Sequence, residues 1–479
     1  MTKRKTIILL FTLLAIGVSA DFLISCKNNS LNGMLIISRV EGKLGGFNFT
    51  TGDSWRYIPH VQIVALNQEN PGKKQKILTE NFFSAKSPQI SYDGRFMLFA
   101  GQLTEDDPWQ IWEMNLGNLK ARQVTSSDEN CIDPAYLPGG RVVFSKLMPG
   151  DSLKSGHTLF TCNLDGSDIR RITFNPDTYF ASGVLQDGRI LAISRQVYPD
   201  IEHQIFTVLR PDGTKADLFY QGSGNSQLLS RAWETPDGRV VFIESADDNG
   251  DKNNLISVSY NNPMHSKINL SSGITGEFNY VFPRNSGKLL VSYREPGSLN
   301  YGLYEFDPES KVVGYKIYND ENYNILEAVA VEEYQRPKVL PSAVVADLKV
   351  GLLMCQDINI TDRAMEGNPL YQKKAVKIEV LGIDDVSYGI VNVDEDGSFY
   401  LKTFANMPIR IRTLDKDNNV INGPCSWIWI RPNERRGCVG CHENHDLVPE
   451  NRIPLAVKKS PVIIPVHIED AHKKTIDLE

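Results

Sequence analysis

SPQISYDGRFMLFAG, residues 88–102, places two apolar stretches on either side of the turn Asp93-Gly94-Arg95. Glycine at such a turn supplies the positive φ that a tight antiparallel reversal needs, so the stretch predicts a β-hairpin. The same arrangement returns in DPAYLPGGRVVFSK (133–146), ASGVLQDGRILAISR (181–195), RAWETPDGRVVFIE (231–244) and NYVFPRNSGKLLVSYR (279–294). The turn glycines Gly94, Gly140, Gly188, Gly238 and Gly287 are 46, 48, 50 and 49 residues apart. A period in the forties with a hairpin in each unit is the pattern of a β-propeller, one four-stranded blade per repeat.

Each unit supplies a third strand, in QIWEMN (110–115), TLFTCN (158–163), QIFTVLR (204–210), NLISVSY (254–260) and YGLYEFD (301–307). An outer strand follows in ARQVTS (121–126), IRRITF (169–174) and SKINLS (266–271). At the ends of the array, MLIISR (34–39) reads as a second strand without a first, and ILEAVAVEEYQRP (325–337) as a first strand without a second. Joining them makes a sixth blade and closes the ring, which removes the open edges of a linear array. The expectation is therefore a six-bladed propeller over residues 34–341, and its turns resemble those of the TolB-related propellers.

From residue 349 to 479 the repeat is absent. The segments VGLLMCQDINI (350–360), AVKIEVLG (375–382), GIVNVDEDGSFYLKTF (389–404) and PIRIRTLDKDNNVI (408–421) alternate as short strands between polar turns. They predict a small β-sandwich-like domain, so the fold class is all-β, ending in SWIWIRPNERRGCVGCHENHD with a CxxCH segment at 438–442. Trp427 and Trp429 fall on one face of the strand expected at 426–430, as sandwich core or as the wall of a haem pocket.

The first 25 residues read as a lipoprotein signal peptide. Lys3, Arg4 and Lys5 precede an apolar run from Ile7 to Val18, twelve residues against the roughly 20 that span a bilayer. Leu23-Ile24-Ser25-Cys26 resembles a lipobox, which makes Cys26 the expected lipidation site and residues 26–33 a tether. Several acyl chains on one residue give stable anchoring, since each buried methylene contributes about 0.8 kcal/mol. Lys27 after the cysteine points to the outer membrane, within a cell-envelope location facing the periplasm or the surface. Cleavage removes three positive charges and one negative, taking the formal net charge from −7 to −9, which argues against a nucleic-acid partner. Seven cysteines are too few for a disulfide scaffold and compatible with an oxidising compartment.

Cys438-Val439-Gly440-Cys441-His442 has the spacing of covalent haem attachment: two thiols for the two vinyl groups and an adjacent imidazole for the iron. Two other readings compete. A thiol-disulfide exchanger places its CxxC at the start of a helix in a βαβ setting, and no such pattern occurs here. A zinc site would draw on Cys438, Cys441 and His442 or His445, with Cys425 or Cys355 as a further ligand.

The stretches GSFYLKTFANMPIRIRTLDKDNNV (397–420) and SWIWIRPNERRGCVGCHEN (426–444), following a propeller, resemble the hydrazine synthase alpha subunit family, in particular its middle domain. That resemblance implies a haem held covalently by Cys438 and Cys441, with His442 and His445 as cofactor- or metal-binding residues. In the family the motif histidine turns toward zinc, and a tyrosine four residues on ligates the iron. Asp446 occupies that place here, beside His445, and is a candidate metal ligand with Cys425. A second CxxCH and the family's third, haem-bearing domain are absent from these 479 residues.

The expected function is that of an extracytoplasmic lipoprotein using haem c for electron transfer or small-molecule redox. It is not expected to be a stand-alone enzyme; were it one, it would be a haem-dependent oxidoreductase. The competing class is a propeller scaffold whose end face recruits a redox or other protein partner, with zinc or a disulfide at the CxxCH. His467 and His472 read as solvated, Met407 as packing, Glu105-Asp106-Asp107 as a solvated loop, and Cys131 and Cys162 as neighbours in adjacent blades.

Overall fold

The computed structural model describes residues 31–42, 44, 55–73, 75–151, 154–222, 226–245, 252–360, 374–440 and 450–465. These residues form eight four-stranded sheets, six of them blades of one propeller. Blade 1 runs outward through Tyr323–Ala330, Leu35–Glu41, Gln62–Leu66 and Gln75–Ile77. Blades 2 to 6 follow in chain order, their inner strands being Ser84–Ile90, Cys131–Tyr136, Asp177–Val184, Trp233–Glu234 and Glu277–Pro283. The two ends of the array pair as the sequence predicts, antiparallel from Leu35 opposite Ala330 to Glu41 opposite Tyr323. The five turn glycines have φ between +69° at Gly94 and +90° at Gly188.

Outer strands are shorter than expected: Ala121–Gln123, Arg170–Arg171 and Ile268–Asn269. The cause is a hydroxyl that takes over the ladder. Thr125 Oγ1 accepts from Ile111 N at 2.9 Å, Thr173 Oγ1 from Leu159 N at 3.1 Å and Ser271 Oγ from Leu255 N at 3.0 Å. A side-chain acceptor satisfies the third strand's N–H without a fourth-strand carbonyl, so pairing stops there.

Inner strands carry bulges where pairing shifts register, between Lys86 and Gln89, Ile132 and Ala135, and Phe180 and Gly183. At the bulges Ser87, Asp133 and Ala181 adopt φ of +58°, +52° and +54°. A side chain at positive φ is a local cost that the surrounding structure must hold in place. Cys131 and Cys162 belong to one blade, on its first and third strands, which corrects their expected placement in neighbouring blades. Both are buried thiols, and burial pushes their pKa values up to about 12 and about 11.

His157 is fully buried in blade 3, where Nε2 bonds the Tyr57 hydroxyl and Nδ1 has no hydrogen-bond partner. Burial lowers its pKa to about 3. The unfolded chain therefore takes up a proton below about 6.5 that the folded chain refuses, and stability falls as pH drops from there toward 3, by up to about 1.4 kcal/mol per pH unit. His157→Gln should flatten this acid limb by close to one proton, read from urea unfolding at a series of pH values. An unchanged slope would contradict the assignment.

The last two sheets form the C-terminal sandwich. One has the order Arg435–Cys438, Val350–Cys355, Phe399–Phe404, Val462–Ile464; the other Ser387–Asn392, Lys377–Leu381, Arg410–Leu414, Val420–Asn422. Leu353, Ile378, Val380, Phe399, Leu401 and Ile411 fill the space between them. Met407 is buried in this core, and Glu105, Asp106 and Asp107 are exposed, as expected. No helix among the described residues is long and apolar enough to cross a membrane.

Candidate functional site

The CxxCH segment starts on a strand. Arg435–Cys438 lies parallel to Val350–Cys355, with Cys438 opposite Cys355. Past the strand, Gln356 N donates to Cys438 O at 2.9 Å and Asp357 N to Val439 O at 3.0 Å, so the ladder grips the first half of the motif. The Cys355 thiol donates to Val439 O at 3.9 Å. A Cβ on Gly440 would stand 2.3 Å from Ile360 O, so the motif's spacer is glycine because backbone packs directly on backbone there.

The residues leading into the motif are fastened to blade 4 of the propeller. The segment 426–430 is extended with one bridge, Ile409 to Ile428, rather than the expected strand. Its backbone stays with the sandwich, through the Ile428 to Ile409 pairing and the bond from Asn406 N to Ile430 O, while its indoles reach the propeller. Trp427 Nε1 donates to Tyr198 O at 2.8 Å and Trp429 Nε1 to Gly213 O at 3.1 Å. Trp429 packs with Leu137, Ile172 and Tyr179 of blades 3 and 4, and neither indole belongs to the sandwich core, so both act as anchors between the domains.

Arg431 and Glu434 complete the junction. Arg431 Nε donates to Asp212 O at 2.9 Å, and its guanidinium lies 4.6 Å from the Phe174 ring centroid. Glu434 accepts from Lys215 N and Arg431 N, each at 2.7 Å. Burial lowers the Arg431 pKa to about 10, which leaves it charged, and burial raises that of Glu434. Arg436 Nη2 donates to Ala216 O. The turn 212–216 thus holds the chain immediately before Cys438. Arg435 and Arg436 are strand residues.

Of the candidate ligands, Cys438, Cys425 and Cys355 are described; Cys355 is part of the sandwich core, and the other two pack against it. Cys425 Sγ accepts from Ile411 N at 3.2 Å; burial raises its pKa, and nearby Cys438 adds to the rise. Cys26, Cys441, His442, His445, Asp446, His467 and His472 lie outside the described residues. Among the described residues no group of three or more His, Cys, Asp or Glu could hold a metal ion.

The sequence pattern assigned no role to Arg431, Glu434 or the residues lining the propeller's central channel, Arg56, Lys86, Asp133, Arg231 and Glu327. For Arg431 and Glu434 the sequence holds no signal of a partner some 220 positions away. For the channel a signal exists: seven residues before each turn glycine stand Ser87, Asp133, Ala181, Arg231 and Tyr280, unlike one another and against the apolar alternation.

Residues 362–443 match the family described as the hydrazine synthase alpha subunit middle domain. Over 513 aligned residues the chain is 23% identical to hydrazine synthase subunit alpha of Kuenenia stuttgartiensis, covering 81% of this chain and 63% of that protein. The chain thus spans less than two thirds of that relative's length. The solved hydrazine synthase of Kuenenia stuttgartiensis superposes with a TM-score of 0.76 at 20% identity, over 89% of this chain and 71% of the other. TolB from Acinetobacter baumannii aligns with a TM-score of 0.41 at 12% identity, over 61% of this chain and 67% of TolB. The resemblance to the hydrazine synthase alpha subunit read from the sequence is upheld, and the fold is that of the synthase chain.

Proposed function

We propose that this protein is an exported, lipid-anchored subunit that carries one covalently attached haem on its C-terminal module and serves electron transfer or small-molecule redox within a larger assembly. The observation that supports this most is the double fixation of the first motif cysteine. Cys438 ends a strand clamped on one side by Val350–Cys355 and on the other, through Trp429, Arg431, Glu434 and Arg436, by blade 4. A redox centre keeps its potential and its distance to a partner only if its attachment does not move, and rigid elements give that better than loops do.

The donor set fits a haem: two thiols at thioether spacing, the first on a strand end, with a spacer glycine that only close packing demands. Cys438 and Cys441 would hold the macrocycle and His442 or His445 its iron, with Asp446 where the family has tyrosine. When bound, haem supplies one-electron chemistry at iron, tuned by axial ligand and burial. Lipidation at Cys26 would tether the protein to the outer membrane, and the propeller face is the surface offered to a partner.

The test is mass spectrometry and a denaturing-gel haem stain after expression with a c-type haem maturation system. Wild type should carry one covalent macrocycle on the peptide 437–447, and Cys438→Ala/Cys441→Ala should carry none. A macrocycle-free peptide with stoichiometric zinc would replace this reading with the scaffold.

A further inference from the structure

The position seven residues before each turn glycine, with Glu327 as its counterpart in the closing strand, brings one residue from every blade toward the axis. Asp133, Ala181, Arg231, Tyr280 and Glu327 line one cavity of about 270 Å³, joined by Lys86 from blade 2 and by Arg56 from the connection that follows Leu35–Glu41. Lys86, Arg56 and Arg231 are 4%, 5% and 5% exposed. Three cations therefore share a sequestered space with two carboxylates.

The carboxylates are already satisfied by the protein. Glu327 accepts from Ser38 Oγ at 2.9 Å and from Ser87 N at 2.7 Å; Asp133 accepts from Ala181 N at 2.7 Å and Ser87 Oγ at 3.1 Å. Arg56 is not, and Lys86 and Arg231 meet only backbone carbonyls. Arg56 Nε stands 3.4 Å from Asp133 Oδ2 without hydrogen-bond geometry, and neither Nε nor Nη2 has a hydrogen-bond partner. Lys86 Nζ reaches Trp55 O at 3.4 Å, and Arg231 Nη2 donates to Pro134 O at 3.0 Å. The Arg56 guanidinium lies 3.5 Å from the Trp55 ring centroid, a stack that presents its nitrogens edgewise.

Burial lowers the pKa of both Arg56 and Lys86, against the pull of Asp133 and Glu327. His157, held neutral, and Tyr280, whose pKa burial raises, do not supply that charge. A surplus cation in a low-dielectric cavity is costly unless an anion joins it.

We propose that this cavity binds a small organic monoanion, a carboxylate of a few heavy atoms, between Arg56, Lys86 and Arg231. A guanidinium edge matches a carboxylate bidentately, one negative charge cancels the surplus, and Leu229, Leu326 and Tyr280 offer apolar wall for a short carbon tail. A dianion would overshoot the charge, and the volume is at the lower limit of small-molecule sites.

The experiment follows thermal unfolding and calorimetric binding of the full chain with sodium propionate, using sodium chloride at matched ionic strength, propionamide and sodium phosphate as controls. Propionate should raise the melting temperature saturably, chloride and propionamide should not, and Arg56→Ala should weaken propionate binding at least tenfold. Lys86→Met, which keeps the side-chain length, provides the second variant should Arg56→Ala fail to fold, and should weaken binding likewise. Equal effects of propionate and chloride on wild type, tighter binding of phosphate, or undiminished propionate binding in the folded variants would each overturn the proposal.

Discussion

Trp429→Ala is expected to split a single thermal transition into two, with the sandwich melting first. The indole is 2% exposed, sits among apolar residues of blades 3 and 4, and donates Nε1–H to Gly213 O. Truncating a buried tryptophan costs about 3–5 kcal/mol, through lost burial and the cavity left behind. Here the loss falls where the sandwich's own chain enters the packing of blades 3 and 4, so the two bodies should uncouple before either unfolds. Differential scanning calorimetry reads this directly. A single transition displaced by less than a degree or two would mean that Arg431 and Glu434 hold the domains without the indole. If haem attachment depends on the clamp, the same variant should also carry less covalent haem.

Glu327→Ala should be nearly as damaging, by about 3–5 kcal/mol, because it strands buried charge that the carboxylate compensates. The side chain is 9% exposed, takes hydrogen bonds from Ser38 and Ser87, and acts on both Lys86 and Arg56. Removing it leaves two donors unmet and deepens the cationic surplus. The double variant Glu327→Ala/Lys86→Met should recover part of the loss, since the residues are coupled and their effects do not add. Urea unfolding of the two single variants and the double measures that coupling. Strict additivity would show that Lys86 and Glu327 do not compensate each other.

The propeller was legible because its information is local and repeated. A glycine at positive φ, flanked by apolar strands, states a hairpin within a few residues, and Gly94 through Gly287 state it five times. Closure was legible as well, since MLIISR and ILEAVAV each lacked one partner and together lacked none. Outer strands were overdrawn because a threonine in a strand pattern reads as ladder, whereas Thr125 and Thr173 end it with their hydroxyls.

The tryptophans mark where such reading stops. Alternation shows that Trp427 and Trp429 share a face, but not which body that face meets, and their acceptors lie at Tyr198 and Gly213 in the fourth blade. Cys131 and Cys162 are 31 residues apart, less than one period, so their common blade was implied by the repeat itself. Part of the axial cluster, Asp133, Ala181, Arg231 and Tyr280, stands in the same register as the turn glycines. It went unread because attention to apolar alternation treats a polar residue in that column as noise.

The strand pairing that seals the ring also sets an order of events. Leu35–Glu41 can join Gln62–Leu66 early, but its other flank waits for Tyr323–Ala330, almost three hundred residues later. Until then a growing chain presents a bare β-edge, the kind of surface that recruits the wrong neighbour. Contacts so distant along the chain make folding slow. A holding chaperone that masks extended segments is thus a natural requirement during biogenesis, and chains cut short before residue 323 should aggregate where the full-length protein stays dispersed.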